Sequence, residues 1–236
     1  MKRAKKYFNL TELVIVIAVL FLGTSVFGFF ISKAKRDAQA VKCAENLFAM
    51  GKATFKYVAD HKGNMPYAGE GHDSWKLQIA PYLGIKNPTV KGDAAKFAMF
   101  RCPTDQNKLP AYMENDPFYL AKNSYAANLF AVEIKNQDTN RDEYFTTRKL
   151  NSICGPDTVL LYVENHNSNN AVGSGLSVNW NRDRNEYSYP EAAKKGYHGN
   201  GMNNYLLLDG GVEFYTYRDT NYPENLWFLK FGNTDL

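Results

Sequence analysis

Residues 1–31 read MKRAKKYFNLTELVIVIAVLFLGTSVFGFFI and set the layout of the whole chain. A basic tip is followed by one acid, Glu12, and by an uncharged run from Leu13 to Ile31 that is rich in Val, Ile, Leu and Phe. As an α-helix, a run of this length nearly spans a hydrocarbon core of about 30 Å, and Phe8 and Leu10 extend it. The stretch therefore predicts a transmembrane helix that tethers the rest of the chain.

The charges beside the apolar run predict its orientation. Four cations precede the run: Lys2, Arg3, Lys5 and Lys6. Cations in a short flanking segment stay on the cytoplasmic side, so we expect everything after Ser32 to lie outside the cytoplasm. A removed secretory signal is the alternative, but the basic sequence SKAKR at residues 32–36 is not typical of its cleavage site. An uncleaved or specially processed anchor is the favoured interpretation.

Glu12 is a carboxylate at the start of a membrane segment. Such an acid is unfavourable there unless it reaches the interface or finds a partner. The residues alone leave two interpretations open: Glu12 reaches the lipid headgroups, or it has a functional partner.

Residues 8–13, FNLTEL, follow a short basic leader and precede a long apolar helix. They resemble the N-terminal motif of type IV prepilins and type II secretion pseudopilins, which are bacterial inner-membrane proteins. The resemblance implies that a prepilin peptidase cuts between Tyr7 and Phe8 and methylates the new amine. It also implies that Glu12 pairs with the amine of a neighbouring subunit during assembly. The family carries Gly before the cut where this chain has Tyr7, and without cleavage Glu12 has no such partner.

The composition fits one extracytoplasmic domain with balanced charge. The chain has 236 residues, of which about two hundred follow the membrane run, enough for a domain with a real core. Lys and Arg number 28 against 24 Asp and Glu, and the four leader cations account for the whole excess. The net positive charge therefore indicates the orientation of the membrane helix, and we expect no nucleic-acid partner.

The chain has three cysteines, Cys43, Cys102 and Cys154. No Cys-x-x-Cys spacing occurs, so neither a zinc finger nor a thioredoxin-like site is expected. In an oxidising compartment two of the three can pair. We predict a Cys43–Cys102 disulfide, with three free thiols as the alternative, and with Cys154 left over as a buried or reactive thiol.

Apolar residues at steps of three and four predict that the helix continues to about Asp60 and buries one face. That face comprises Val41, Ala44, Phe48, Gly51, Phe55 and Val58, and it is widened by Leu47, Met50 and Ala59. Gly63 and Pro66 are expected to end the helix.

The remaining elements are predicted from shorter signals. We expect a short helix over 74–84, a helical turn within 93–99, a strand entry over 123–128 and a central strand over 158–163. The sequence Asp209-Gly210-Gly211 between two apolar runs predicts a hairpin with positive φ at both turn positions.

The order of several pieces resembles a narrower group, the prepilin-like proteins abundant in planctomycetes, which carry a characteristic His-to-Asp-Gly spacing near the C-terminus. The matching pieces are residues 42–47, 74–83, 100–103, 123–125 and 198–210. Ten residues separate His198 from Asp209, one more than is usual in the group. The resemblance implies a fold and a membrane topology.

Four residues of the C-terminal half are candidates for a chemical site. Glu164, His166, His198 and Asp209 converge if the hairpin lies beside the central strand, and they would then form a metal or acid–base site. In the alternative, Asp209 only builds its turn, His198 bonds to a loop backbone, and the other two are exposed. The HExxH, GxSxG and P-loop motifs do not occur, so we do not expect an enzyme.

Calcium is a further alternative. Asp138, Asn140 and Asp142 place oxygen ligands at every second position, as a calcium loop does, but the following Gly and the closing acid are missing. A similar alternation occurs at Asn179, Asn181, Asp183 and Asn185. Solvated turns explain both stretches, so no cofactor is expected.

We therefore predict an α+β fold in which a long N-terminal helix, first transmembrane and then amphipathic, packs on an antiparallel β-sheet head. The predicted parts are a leader (1–7), a transmembrane part (8–31), an outer half of the helix (32–62) and a globular head (63–236). The expected function is that of a pilin-like subunit that assembles with copies of itself or with other pilin-like subunits into a filament or secretion pseudopilus. The alternative is an uncleaved, signal-anchored binding module for envelope polysaccharide or protein, whose C-terminal aromatic residues stack on sugars instead of covering the sheet.

Overall fold

A computed structural model describes residues 9–67, 74–85, 96–108, 123–135, 145–147, 149–153, 155, 159–166, 179–181, 186–188, 195–220 and 226–227. The chain divides into two compact units, residues 1–38 and 39–236. Tyr7, Phe8, Cys154, Asp138, Asn140 and Asp142 lie outside the described residues.

Helix α1 (Leu10–Asp60) is the longest described element, and it ends at Asp60 as its sequence predicts. Its apolar half is long and apolar enough to cross a membrane. At its other end, Lys62 and Gly63 adopt positive φ, and the Gly63 N–H donates to the Val58 carbonyl at 2.9 Å. This is the glycine-assisted termination expected from the sequence.

The larger unit is built on a four-stranded antiparallel sheet in the order β1-β4-β7-β8. These strands are β1 (Tyr125–Ala127), β4 (Leu160–Glu164), β7 (Met202–Leu207) and β8 (Val212–Thr216). Strand β4 is fully buried and pairs on both sides, which confirms the predicted central strand. The α+β class and the antiparallel sheet are thus as predicted.

Shorter elements connect and flank this sheet. Helix α2 (Trp75–Ile79) continues into a 3₁₀ turn (Ala80–Leu83) that Gly84 closes with φ +79°, as the sequence predicts. The helical turn expected within 93–99 is a 3₁₀ helix over Lys96–Phe100. The other elements are α3 (Leu129–Val132), the hairpins β2 (Glu133–Lys135) with β3 (Phe145–Thr147) and β5 (Asn179–Asn181) with β6 (Glu186–Ser188), and 3₁₀ turns at Leu150–Ser152 and Gly199–Gly201.

The face of α1 that packs on the sheet is rotated from the predicted one. The buried residues are Cys43, Asn46, Leu47, Met50, Gly51, Ala53, Thr54 and Val58. The prediction was correct for Leu47, Met50, Gly51 and Val58, but Val41 and Phe48 are about half exposed, at 59% and 48%, and Ala59 is exposed. The rotation follows from two buried polar residues, Asn46 and Thr54, which an apolar pattern cannot include.

The predicted hairpin between β7 and β8 forms, but with a different turn. Leu206 pairs with Val212, and the Gly210 N–H donates to the Leu207 carbonyl at 3.1 Å. Gly210 has φ +94°, whereas Asp209 does not have positive φ, so the prediction of two positive φ values is wrong. The loop has the three-residue form, in which only the glycine position needs the left-handed region.

Both faces of the sheet are covered. On one face, Trp75 stacks on Tyr162 with ring centroids 4.2 Å apart, within the cluster that includes the buried face of α1. On the other face, Trp227 packs with Tyr205, and Tyr215 and Tyr217 lie against them. The described C-terminal aromatic residues therefore mostly cover the sheet, as the sequence interpretation favoured.

Candidate functional site

Glu12 occupies the first turn of α1 within the unit 1–38. Its Oε2 accepts a hydrogen bond from the Asn9 N–H at 3.1 Å. A Glu three residues after the helix N-cap that bonds back to the N-cap N–H is half of a capping box. The carboxylate therefore already points toward the N-terminal end of the helix, where Tyr7 and Phe8 precede it in sequence.

A second group of candidate side chains is buried in the larger unit. Cys43 comes from α1, Cys102 from the loop after Lys96–Phe100, Glu164 from the end of β4 and His198 from the turn before β7. One ligand-type atom from each of the four lies within 4.8 Å of the others, and all four residues are buried. We call these four residues the Cys–Glu–His cluster.

The predicted pairing of Cys43 with Cys102 is present as a pair at disulfide distance, with Cα atoms 5.3 Å apart. The partners are separated by 59 positions, so the bond closes a long loop. In chain-entropy terms a closed loop of this size stabilises the fold by about 4 kcal/mol. The bond ties α1 to the segment 101–105 beside the sheet.

Glu164 is held by the neighbouring strand and by the histidine. Its Oε1 lies 2.8 Å from Nε2 of His198, and its Oε2 accepts the backbone N–H of Asn204 at 3.1 Å. The side-chain amide of Asn204 also donates to the Ala40 carbonyl of α1 at 3.1 Å. A buried carboxylate needs such partners because its desolvation is otherwise unfavourable.

His198 is positioned by a tight turn. The backbone N–H of His198 donates to the Met202 carbonyl at 3.0 Å, and Asn200 and Gly201 between these two residues have positive φ. A Cβ on Gly196 would lie 2.1 Å from the Gly201 backbone, so only glycine allows these two segments to approach this closely. The turn aims Nε2 at Glu164 and, at 3.8 Å, at Sγ of Cys102.

The loop that carries Cys102 is fixed by Asp105. Arg101 donates through Nε and Nη2 to the Asp105 carbonyl, at 3.3 and 3.0 Å. The Asp105 carboxylate accepts from the Ser124 hydroxyl at 2.7 Å and from the Asn107 N–H at 3.0 Å. A surface cleft of about 670 Å³ runs past this loop, and its lining includes Lys42, Asn46, Cys102, Pro103 and Asp105.

Tyr125 and Tyr162 complete the polar contacts between helix and sheet on this face. The Tyr125 hydroxyl accepts from the Asn46 amide at 3.4 Å, and the hydroxyls of Tyr162 and Thr54 lie 2.8 Å apart. Burial raises the pKa of both tyrosines, and the nearby Glu164 carboxylate adds to the rise for Tyr125. Both remain neutral hydrogen-bonding groups at physiological pH.

The candidates named from the sequence separate into two groups. The structure brings Glu164 and His198 together, whereas His166 stacks on Tyr197 at 3.7 Å and Asp209 is exposed in its own turn. Asp209 accepts the Gly211 N–H at 2.7 Å and is no part of the cluster. The alternative with exposed Glu164 and His166 is wrong, since both are buried. The Cys43–Cys102 pair adjoins the Glu164–His198 pair, a contact that no sequence pattern indicates.

Comparison of the chain with protein-family models, with curated proteins and with solved structures finds no match. Two features of its own residues bear on its function: the acid at the start of the apolar helix and the buried Cys–Glu–His cluster.

Proposed function

We propose that this chain is a membrane-anchored, pilin-like structural subunit that assembles through its N-terminal helix into a filament or a secretion pseudopilus. The observation that carries the proposal is the first half of α1, an apolar helix with a single acid at its start. Its partners would be the membrane, a prepilin peptidase, and further copies of itself or of other pilin-like subunits.

The apolar half of α1 is exposed along its described length. Leu10, Phe21, Leu22, Phe27 and Phe29 are each between 65% and 75% exposed. An apolar surface of this extent is unfavourable in water, so it needs lipid or other helices around it. A bilayer supplies that surrounding for a single subunit, and neighbouring helices supply it in a filament.

Glu12 gives the helix a means of assembly. In an apolar helical bundle an unpaired carboxylate is strongly unfavourable, whereas one beside a free amine is compensated. After cleavage before Phe8, the amine of a neighbouring subunit would be that partner. The bond from Asn9 already turns the carboxylate toward the N-terminal end of its helix.

The test compares Glu12→Ala with Glu12→Gln. Gln keeps the capping hydrogen bond to Asn9 but removes the charge, whereas Ala removes both. We expect both variants to insert into membranes and both to lose filaments, because breaking a buried ion pair destabilises by about 3–5 kcal/mol per contact. Membrane fractionation, filament yield and cross-linking between subunits are the measurements.

Glu45→Gln is the matched control for this test. Glu45 is an exposed acid on the same helix, paired with Lys42 at 3.0 Å, and its loss should leave filament yield unchanged. Assembly of the Glu12→Gln variant at the wild-type level would show that Glu12 only caps its helix, and would overturn the proposed role.

A signal-anchored binding module is the second candidate, and Tyr7 favours it. The resemblance to prepilins requires a small residue before the cut, and Tyr7 is bulky. Intact mass and N-terminal sequencing of the protein from its native membrane separate the two. A chain that starts at methylated Phe8 supports the pilin-like subunit, and a chain that keeps its leader supports the anchored binding module.

A further inference from the structure

We infer that the Cys–Glu–His cluster is a redox-gated zinc site, which binds one Zn²⁺ when Cys43 and Cys102 are thiols and none when they form a disulfide. The inference concerns the unit 39–236 alone and holds whether or not the helix assembles into a filament.

The four side chains form a ligand set suited to zinc. Two thiolates, one imidazole and one carboxylate are all ligands that Zn²⁺ takes, and four protein ligands close a tetrahedral site. Soft thiolates select zinc over calcium or magnesium, which prefer oxygen ligands. The set is assembled from Cys43, Cys102, Glu164 and His198, whose sequence spacing matches no short zinc motif.

The distances are close to those of a tetrahedral site. Zinc bonds of about 2.0–2.3 Å place neighbouring ligand atoms roughly 3.3–3.8 Å apart. His198 Nε2 lies 3.8 Å from Cys102 Sγ and 2.8 Å from Glu164 Oε1, and the whole set lies within 4.8 Å. Two changes are required: the two sulfur atoms must separate once their bond is broken, and the distance between Nε2 of His198 and Oε1 of Glu164 must lengthen from 2.8 Å to about 3.3 Å.

The surroundings hold the ligands in place. Glu164 Oε2 is fixed by the Asn204 N–H, and Thr104 Oγ1 lies 3.0 Å from Cys102 Sγ, where it can donate to a thiolate. Contacts of this kind orient metal ligands and raise metal affinity. Among the described residues, Nδ1 of His198 is buried without a hydrogen-bond partner, and the contacts of this ring with Glu164 and Cys102 both involve Nε2.

The two states exclude each other because the thiolate, and not the disulfide, is the metal ligand. Exchange with a dithiol converts the oxidised form: a thiolate attacks the Cys43–Cys102 bond, two electrons and two protons pass to the cysteines, and the dithiol leaves as a disulfide. Zinc then displaces the two thiol protons. In the oxidised form Nε2 of His198 and Oε1 of Glu164 are partners of each other without metal.

The cleft beside Cys102 offers the approach for a reductant and for the ion. Its lining includes Cys102 and Pro103 together with the polar residues Asn46 and Asp105. Cys43 and Cys102 are themselves fully buried, and among the described residues of the cluster Cys102 is the one that lines the cleft.

The experiment uses the full-length chain purified in detergent. One sample is kept oxidised, and the other is reduced by a phosphine under anaerobic conditions. In this reaction the phosphine is oxidised and takes its oxygen atom from water, while two electrons and two protons pass to the cysteines. Both are then titrated with Co²⁺, followed by Zn²⁺. We expect the reduced chain to bind about one Co²⁺ with the charge-transfer absorption of cobalt–thiolate bonds, and Zn²⁺ to displace it. The oxidised chain should bind more than tenfold more weakly, with no such absorption.

Four variants locate the site. Glu164→Gln and His198→Gln should each weaken Co²⁺ binding at least tenfold in the reduced chain. Cys154→Ser, which removes the third thiol, and His61→Gln, which removes an exposed histidine, should leave binding unchanged. Circular dichroism before and after metal addition reports whether each chain is folded.

Several results would overturn the inference. One is a reduced, folded wild-type chain without cobalt–thiolate absorption, and another is equal Co²⁺ binding by the oxidised and reduced chains. Unchanged binding in Glu164→Gln and His198→Gln would place the metal elsewhere. A reduced chain that unfolds and does not refold with one equivalent of Zn²⁺ also contradicts it, whereas refolding by that equivalent supports it.

Discussion

Lys76 places its ammonium in the core of the larger unit, where the residue is 4% exposed. Its Nζ lies over the rings of Phe97 and Phe100, at 5.2 and 5.6 Å from their centroids. Burial lowers the pKa of Lys76 to about 7, because desolvation disfavours the charged form. A folded-state pKa below the unfolded value of 10.5 means that the unfolded chain binds more protons between these two pH values.

The unfolding free energy should therefore rise as the pH is raised from about 7 toward 10.5, and should be insensitive to Lys76 below about 7. Each pH unit in this window corresponds to at most about 1.4 kcal/mol. The two aromatic rings stabilise the ammonium, so we expect a smaller rise, about 1–3 kcal/mol between pH 7 and 9.5. Urea unfolding at a series of pH values measures it.

Lys76→Met should flatten this pH dependence. Lys52→Met is the matched control, since Lys52 also lies over a ring, that of Phe48 at 4.2 Å, but is exposed. The buried tyrosines give an opposite trend near pH 10, because burial raises their pKa values in the folded chain while the unfolded chain loses those protons near the ordinary value of 10.0. Wild type and Lys76→Met share this trend, so the difference between their slopes reports Lys76. The same slope in Lys76→Met as in the wild type would show that Lys76 is not the titrating group.

At the scale of the element, α1 shows what a hydrophobic pattern can predict. The pattern gave the end of the helix and most of its apolar contacts, because Gly63 and the spacing of Leu47, Met50 and Val58 are local signals. It missed the exact face, because Asn46 and Thr54 are buried through bonds to Tyr125 and Tyr162, which lie in distant strands. The tertiary hydrogen bonds that allow a polar residue to be buried cannot be read from a local hydrophobic pattern.

Gly51 lies at a close approach of α1 to the sheet. A Cβ at this position would lie 3.1 Å from both Cδ atoms of Leu206 on β7. We expect Gly51→Leu to lower the unfolding free energy by about 1–3 kcal/mol, because overpacking exceeds the gain in helix propensity. Thermal or urea unfolding is the measurement.

Ala59→Leu is the control for Gly51→Leu, since Ala59 is exposed on the same helix and its replacement should change stability by less than about 0.5 kcal/mol. A double-mutant cycle of Gly51→Ala with Leu206→Ala tests the contact directly. We expect a coupling of about 0.5 kcal/mol or more, and additive effects would contradict the packing role of Gly51.

At the scale of the whole molecule, the sequence predicted the α+β layout, the central strand and the pairing of Cys43 with Cys102. It could not place the cysteines beside Glu164 and His198, because that contact depends on how α1, β4 and β7 pack, and no sequence signal spans all three.

The predicted start of the head at residue 63 came from the helix-ending Gly63 and Pro66. In the structure, residues from Gln39 onward belong to the larger unit.

This division predicts how the chain behaves when it is shortened. A chain beginning at Gln39 keeps Cys43, Leu47, Met50 and Thr54 in the core and should be soluble, disulfide-bonded and cooperative in thermal unfolding. A chain beginning at Gly63 loses the disulfide and uncovers one face of the sheet. Each lost apolar side chain removes about 1.5–3 kcal/mol, and together with the disulfide the loss reaches the typical stability of a domain, about 5–15 kcal/mol. We therefore expect the shorter chain to aggregate or to lack a cooperative transition in circular dichroism. Cooperative unfolding of the chain from Gly63 would instead show that the sheet folds without the helix, and that the outer half of α1 is an accessory to the head.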